Sequence, residues 1–236
     1  MLLAGGLGTR LRPAVADRPK VLAPVADRPF LQHLLGWLEA HGIRRVVLAL
    51  GHLAEQVEGF VEEHRAAWPG LTLVTLREPK PLGTGGALAA CRPEIRSDPV
   101  LVMNGDTFVD VDLGAFVAHW AAAGAEAGLV AAQVEDGARY GRLELTADGR
   151  IARFTEKDPH ASGPAWINAG IYLLRQHLLD QLPAPPSSLE RDLLERLPAG
   201  SVLAFPTAGR FIDIGTPESL AAAPSVLTAT LEQPRP

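Results

Sequence analysis

The sequence predicts an α/β fold with a mixed, mainly parallel central sheet and helices on both faces. Continuous apolar runs at residues 45–50 and 99–103 are typical of buried parallel strands. Leucines at positions 31, 34, 35 and 38 have the spacing of a helix that packs one face on a core. Strands and helices that alternate in this way build a parallel sheet, and 236 residues suffice for one large domain of this class.

The first half of the chain alternates predicted strands with predicted helices. A strand begins at Leu2, so we expect either that this strand is short or that a few residues precede Met1. The first helix ends at Gly42, a residue suited to a left-handed C-cap. The predicted strands cover residues 2–4, 45–50, 71–76 and 99–103, and the predicted helices cover residues 30–41, 53–64 and 85–91.

The second half has shorter apolar runs, which we interpret as a mixed extension of the same sheet. Asp110 and Asp112 are expected to cap a helix, and Thr216 is the expected N-cap of the last helix, with Pro217 at its first position. The predicted strands cover residues 129–134, 141–145, 151–155, 169–174 and 202–205, and the predicted helices cover residues 113–123, 188–197 and 216–223.

Composition excludes several classes of protein. A formal net charge of −5 argues against a nucleic-acid partner, because a phosphate backbone selects a basic face. The single cysteine, Cys91, cannot form an internal disulfide, and no signal sequence precedes the first strand. The apolar runs are too short to cross a bilayer. We therefore expect a cytoplasmic protein that binds neither nucleic acid nor membrane.

The loop after the first strand combines glycines with cations. Gly5, Gly6 and Gly8 allow the backbone to present consecutive N–H groups to phosphate oxygens, and Arg10 and Lys20 add positive charge. The pattern differs from the Walker loop and from the dinucleotide fingerprint. An ordinary strand-to-helix turn is the alternative interpretation.

Two carboxylates stand in apolar surroundings. Asp106 directly follows the run at residues 99–103, and Asp213 lies between Ile212 and Ile214. A carboxylate in such a place is costly unless a cation accompanies it. The alternatives are a solvated turn for Asp106 and a helix cap for Asp213. The histidines have no metal-ligand spacing.

The ordered motifs resemble the sugar-1-phosphate nucleotidylyltransferases from end to end. They are Ala4-Gly-Gly-Leu-Gly-Thr-Arg-Leu-Arg-Pro13, Pro81-Leu-Gly-Thr-Gly-Gly-Ala87, Asn104-Gly-Asp106, Arg139-Tyr-Gly141, Phe154-Thr-Glu-Lys157, Asn168-Ala-Gly170 and Phe211-Ile-Asp-Ile-Gly215. The resemblance implies the Rossmann-like nucleotide-diphospho-sugar transferase fold, as one domain over residues 1–223 with a C-terminal tail at 224–236. It also implies transfer of a nucleoside monophosphate from a nucleoside triphosphate to a sugar 1-phosphate.

The same resemblance implies roles for individual residues. Arg10 would bridge the β- and γ-phosphates, Lys20 would contact the α-phosphate, and Asp106 and Asp213 would jointly hold Mg²⁺. The nucleotide site would comprise Ala4, Gly5, Gly6, Gly8, Thr9, Glu78, Gly83, Thr84 and Asp106. The sugar phosphate would contact Gly141, Glu156, Lys157 and Asn168. Glu156 and Lys157 also suit an exposed ion pair.

Within this family, the motifs most resemble those of D-glycero-α-D-manno-heptose 1-phosphate guanylyltransferases, which indicates GTP as the nucleotide. Mannose-1-phosphate guanylyltransferases and N-acetylmuramate-1-phosphate uridylyltransferases share most of them. Lys80 stands where many relatives carry an acidic residue, which leaves the identity of the nucleotide base open. A non-catalytic nucleotide-sugar-binding subunit is an alternative from a different class. The apolar face at residues 31–38 fits either the core or a homodimer interface.

Overall fold

Strands and helices alternate through the first half of the chain, as the apolar pattern predicts. A computed structural model describes the chain apart from residues 7, 12–14, 16, 139, 156–162 and 232–236. The strands are β1 (Leu2–Ala4), β2 (Pro24–Val25), β3 (Arg28–Pro29), β4 (Arg45–Leu50), β5 (Thr72–Arg77), β6 (Val100–Asn104), β7 (Thr107–Val109), β8 (Ala127–Val134), β9 (Arg142–Leu145), β10 (Ile151–Thr155), β11 (Ala165–Leu174), β12 (Val202–Thr207) and β13 (Phe211–Asp213). The helices are α1 (Phe30–Ala40), α2 (Ala54–His64), α3 (Gly83–Ala90), α4 (Leu113–Ala122), α5 (Leu189–Asp192) and α6 (Pro217–Leu231).

The central sheet has nine strands within the described residues. Strands β5, β4, β1 and β6 are neighbours and run parallel. Strand β11 is antiparallel to β6 and to β8, and β12 then adds parallel to β8. The β9–β10 hairpin lies along the first part of β11. The predicted mixed, mainly parallel sheet is therefore confirmed.

Helices cover both faces of this sheet, because side chains alternate along each buried strand. On β6, Met103 packs into a core with α1, α2, α4 and α6, and the adjacent Val102 packs into a second core with α5. Leu88 of α3 belongs to that second core. The predicted layer architecture is confirmed on both sides.

Strands β7 and β13 form a separate antiparallel ribbon that the sequence does not predict. Asp213 pairs with Thr107, and Phe211 pairs with Val109. Since β7 follows β6 after a two-residue turn, this pairing carries a segment from the end of the chain to the carboxyl edge of the sheet. The ribbon thereby places Asp213 close to Asp106.

Two predicted helices differ from the observed ones. Helix α6 continues through Pro224 to Leu231, eight residues beyond the predicted end, because Ala223 and Leu227 are both buried and hold the two halves on the core. Proline is a helix stop only when packing does not compensate for its missing N–H. The predicted helix at residues 188–197 is divided, because the backbone at Leu193 leaves helical geometry between α5 and a short 3-10 turn at Leu194–Arg196.

The predicted helix caps are found at two places. Asp112 accepts a hydrogen bond from the Ala115 N–H at 2.9 Å, and Thr216 accepts one from the Ser219 N–H at 3.3 Å. None of the described helices is long and apolar enough to cross a membrane.

Candidate active site

Lys20 and two aspartates meet at the carboxyl ends of the central strands. The Lys20 Nζ donates to Asp106 Oδ2 at 2.7 Å and to Asp213 Oδ1 at 3.3 Å. The Lys20 side chain is only 10% exposed, and that of Asp213 is 17% exposed. One ammonium therefore bridges two carboxylates that are more than a hundred positions apart in the sequence, and this lysine leaves one negative charge of the cluster uncompensated.

Local backbone structure explains this convergence. Lys20 begins a short 3-10 turn, Asp106 is the second residue of the turn between β6 and β7, and Asp213 ends β13. The Ile214 N–H donates to the Asp106 carbonyl oxygen at 3.0 Å, which ties the two acidic segments together. Asp213 is not the helix cap, since Thr216 fills that position.

Gly215 allows the three charged groups to approach. A Cβ at this position would lie 2.8 Å from Asp213 Oδ1 and 3.2 Å from Lys20 Nζ. The first distance is far below van der Waals contact, so any side chain here would displace the carboxylate or the ammonium.

The donor set of this cluster fits a hard divalent cation. Carboxylate oxygens are the protein ligands that Mg²⁺ prefers, and the ammonium between Asp106 and Asp213 shows that both carboxylates reach one positive centre. Within the described parts of the chain, no group of three or more His, Cys, Asp and Glu side chains is arranged to hold a metal. A cation held by two aspartates would therefore need substrate phosphate oxygens and water as its remaining ligands.

A first cavity of about 290 Å³ lies between the glycine loop and the start of α3. Among the predicted nucleotide residues, those that line it are Ala4, Gly5, Gly6, Glu78, Gly83, Thr84 and Asp106, and Lys20 lines it too. Gly8, with φ of 58°, and the exposed Thr9 continue the loop outside this lining. The parallel sheet predicts a ligand cleft at this edge, beyond the carboxyl ends of β1 and β6.

Glu78 is held inside the first cavity by the backbone. Its Oε2 accepts from the Leu82 N–H at 3.0 Å, and the side chain is half-buried. Burial raises the pKa of the Glu78 carboxyl above its ordinary value, and the Leu82 hydrogen bond partly opposes that rise. Lys80, two residues later, is exposed.

A second cavity of about 440 Å³ lies on the other side of Asp106. Its lining includes the predicted site residues Arg10, Gly141, Asn168 and Asp213. Aromatic side chains also line it, and Tyr140 packs edge-on against Phe211 with ring centroids 5.5 Å apart. Polar and charged side chains line the same cavity, and apolar area with a few polar groups is the usual lining of a small-molecule site.

The two cavities meet at Asn104 and Asp106, because both residues line both cavities. Lys20 faces the first cavity and Asp213 the second. The charged cluster therefore lies at the junction, where two bound molecules would come into contact.

Some predicted site residues cannot be placed. Glu156 and Lys157 lie outside the described residues.

Arg10 is exposed and lines the second cavity, not the cavity beside the glycine loop.

The structure also brings in residues to which the sequence assigned no role. Asn104 precedes Asp106 by two positions and belongs to the motif Asn104-Gly-Asp106, which is the sequence feature that could have indicated its place in the site. Glu190 lines the second cavity and is hydrogen-bonded to Tyr172, whose hydroxyl is buried in β11. Tyr172 lies inside an apolar run, so only the fold could reveal the hydroxyl's partners.

A glycine loop, a lysine and paired carboxylates at the edge of a parallel sheet define a class of nucleotide-processing protein. Residues 1–230 match the family model described as nucleotidyl transferase, and the chain belongs to this family. The resemblance inferred from the motifs is thereby confirmed at the level of the family.

Curated relatives are guanylyltransferases. The catalytic subunit beta of mannose-1-phosphate guanylyltransferase from Drosophila melanogaster is 33% identical over 236 residues, covering 99% of this chain and 63% of that protein. Its counterpart from Xenopus tropicalis is 30% identical over 240 residues, covering 100% of this chain and 66% of that protein. The chain spans less than two thirds of the length of these relatives.

Solved structures confirm the fold. HddC from Yersinia pseudotuberculosis is 32% identical, with a TM-score of 0.85 over 95% of this chain and 96% of that chain. That protein has also been solved in complex with GMP-PN. A UTP-bound UGPase from Acinetobacter baumannii, at 22% identity and a TM-score of 0.77 over 99% of this chain and 93% of that chain, shares the fold.

Proposed function

We propose that this protein transfers GMP from GTP to a sugar 1-phosphate and releases pyrophosphate. The observation that carries the proposal is the junction of two cavities at Asp106, one beside the glycine loop and one lined by Gly141 and Asn168. The nucleotide would occupy the first cavity and the sugar phosphate the second. Their reacting phosphates would then meet beside Lys20 and Asp213.

The reaction needs charge neutralisation more than proton transfer. A phosphate oxygen of the sugar 1-phosphate attacks the α-phosphorus of GTP, and the bond from that phosphorus to the bridging oxygen breaks. Pyrophosphate leaves with the electron pair. The nucleophile is already an anion, so alignment and electrostatic stabilisation are the main requirements. Lys20 would stabilise charge at the α-phosphate, and Arg10, which lines the second cavity, would contact the leaving phosphates where they extend past Asp106.

Asp106 and Asp213 would hold Mg²⁺ when substrates are bound. The ion would supply positive charge for the phosphate oxygens at the junction. The two carboxylates already reach one ammonium, which supports their use as a common cation site. Lys20 would then pair with phosphate oxygens instead of with both aspartates.

The segment that contains Glu78, Gly83 and Thr84 would recognise the base. Glu78 is half-buried in the first cavity, and an ionised carboxylate accepts hydrogen bonds without donating any. Guanine presents two adjacent N–H donors on one edge, which suits such an acceptor. Gly83 and Thr84, at the start of α3, would border the same base.

For the sugar, we propose D-glycero-α-D-manno-heptose 1-phosphate. The motifs support this choice. Asn168 and the Gly141 N–H would contact hydroxyl groups, and Glu156 and Lys157 would bind a hydroxyl and the phosphate. Mannose 1-phosphate is the second candidate, favoured by the names of the curated relatives, and it shares the manno configuration.

A pyrophosphate-release assay tests this function. GTP, UTP, CTP, ATP and dTTP would each be paired with heptose, mannose, glucose and N-acetylmuramate 1-phosphates in the presence of Mg²⁺. We expect the strongest signal for GTP with the heptose phosphate. A strong signal with UTP instead would contradict the assignment of the base, and silence with every pair would favour a non-catalytic binding subunit.

A further inference from the structure

A buried tyrosine connects the two cavities. Tyr172, on β11, is 0% exposed, and its hydroxyl donates to Glu190 Oε1 at 2.6 Å. The Asn168 Nδ2 donates to the same hydroxyl at 2.9 Å. A phenolic hydroxyl has one proton and two lone pairs, so its proton is used by Glu190 and one of its lone pairs by Asn168.

Glu190 continues this network to the nucleotide side. Its Oε2 accepts from the Thr84 hydroxyl at 3.1 Å and from the Ser188 hydroxyl at 2.9 Å. Thr84 in turn accepts from the Leu189 N–H at 2.8 Å. The first turn of α3, which lines the first cavity, is therefore joined to α5, which lies beside the second.

The network fixes the side-chain amide of Asn168, which lines the second cavity. Asn168 Oδ1 accepts from the Gly170 N–H at 2.9 Å, while its Nδ2 is bound to Tyr172. Gly170 has φ of 76°, and a Cβ there would lie 2.7 Å from Asn104 Nδ2, so Gly170 packs closely against Asn104, which lines both cavities.

We propose that Tyr172 and Glu190 are positioning residues that couple the two substrate cavities. A nucleotide beside Thr84 would restrain Glu190, and through Tyr172 it would order the amide of Asn168 before the sugar phosphate arrives. The second ligand then loses less conformational freedom and binds more tightly. This inference rests on the proposed function, because it places a nucleotide in one cavity and a sugar phosphate in the other.

Burial keeps the Tyr172 proton in place. Burial and the nearby Glu190 carboxylate raise the pKa of Tyr172 well above its ordinary value. The hydroxyl therefore remains a donor to Glu190 throughout the physiological pH range. Tyr172 stays the donor and Glu190 the acceptor of this hydrogen bond.

The test is calorimetric binding of heptose and mannose 1-phosphates to the full chain, with and without guanosine 5′-(α,β-methylene)triphosphate. The α–β bridge of this analogue is not cleaved, so binding is separated from turnover. In the wild type we expect the analogue to tighten sugar-phosphate binding roughly tenfold. Tyr172→Phe keeps the ring and removes the hydroxyl. In this variant we expect the sugar-phosphate affinity to be the same with and without the analogue.

Two further variants keep the test decisive. Glu190→Gln replaces one acceptor oxygen with a donor and should lose part of the coupling even if Tyr172→Phe does not fold. Val61→Ala, a buried change in α2 away from both cavities, should lower stability while retaining the coupling. This control separates positioning from a general loss of stability.

Full coupling in folded Tyr172→Phe, or no coupling in the wild type, would overturn the inference. If neither sugar phosphate binds to the wild type in the presence of the analogue, the result counts as no coupling. The proposed function fails separately, if the wild type couples the two ligands but releases no pyrophosphate from any substrate pair.

Discussion

At the scale of single residues, the main feature is the sharing of Lys20 by two carboxylates. Its ammonium is 2.7 Å from Asp106 and 3.3 Å from Asp213, and the lysine is largely buried. Removing the ammonium leaves two uncompensated carboxylates side by side, and another cation can take its place. Lys20 and a metal ion would therefore compete for the same carboxylates when no nucleotide is bound.

Lys20→Met should strengthen metal binding in the absence of nucleotide. Methionine keeps much of the side-chain volume and removes the competing positive charge. We expect Mn²⁺ affinity to rise about tenfold, measured by electron paramagnetic resonance of free Mn²⁺. Lys80→Met, at an exposed lysine beside the first cavity, is the matched control and should leave Mn²⁺ affinity unchanged. Equal affinities for wild type and Lys20→Met would show that the lysine does not compete.

Gly215→Ala should reduce turnover while the chain still folds. The new Cβ would lie 2.8 Å from Asp213 Oδ1, so the carboxylate must move away from its position beside Lys20. Gly36→Ala is the matched control, because nothing lies within 4 Å of a Cβ there and alanine in a helix is favoured by up to about 1 kcal/mol. Pyrophosphate release and thermal melting would be measured on both. Normal turnover by Gly215→Ala would contradict the tight packing of this cluster.

At the scale of secondary-structure elements, local sequence signals predict most of the fold. The apolar run at β4 and the leucine spacing of α1 need no distant information, and both elements are found where expected. The β7–β13 ribbon is different, because each strand has only three residues and nothing in its local sequence specifies the partner. That ribbon places Asp213 beside Asp106, so the sequence could name both carboxylates but could not derive their proximity.

At the scale of the whole molecule, two cavities share one edge of the sheet and one pair of residues. Asn104 and Asp106 line both cavities, and the family match extends over residues 1–230. The motifs predicted which residue types belong to the site, because glycine loops and paired carboxylates have recognisable chemistry. They could not predict the role of the Tyr172 hydroxyl within an apolar strand, since its partners are Glu190 of α5 and Asn168, four residues earlier on β11.

The most direct measurement is pyrophosphate release from GTP and the sugar 1-phosphate by wild type and Asp213→Asn, with Mg²⁺ saturating. Asparagine keeps the shape of the side chain but removes the charge that would hold the cation. We expect turnover by the wild type only when both substrates and Mg²⁺ are present, and a loss of about a hundredfold or more in the variant. GTP affinity and the melting temperature should change little. Near-normal turnover by Asp213→Asn would contradict the assignment of this carboxylate cluster as the catalytic centre.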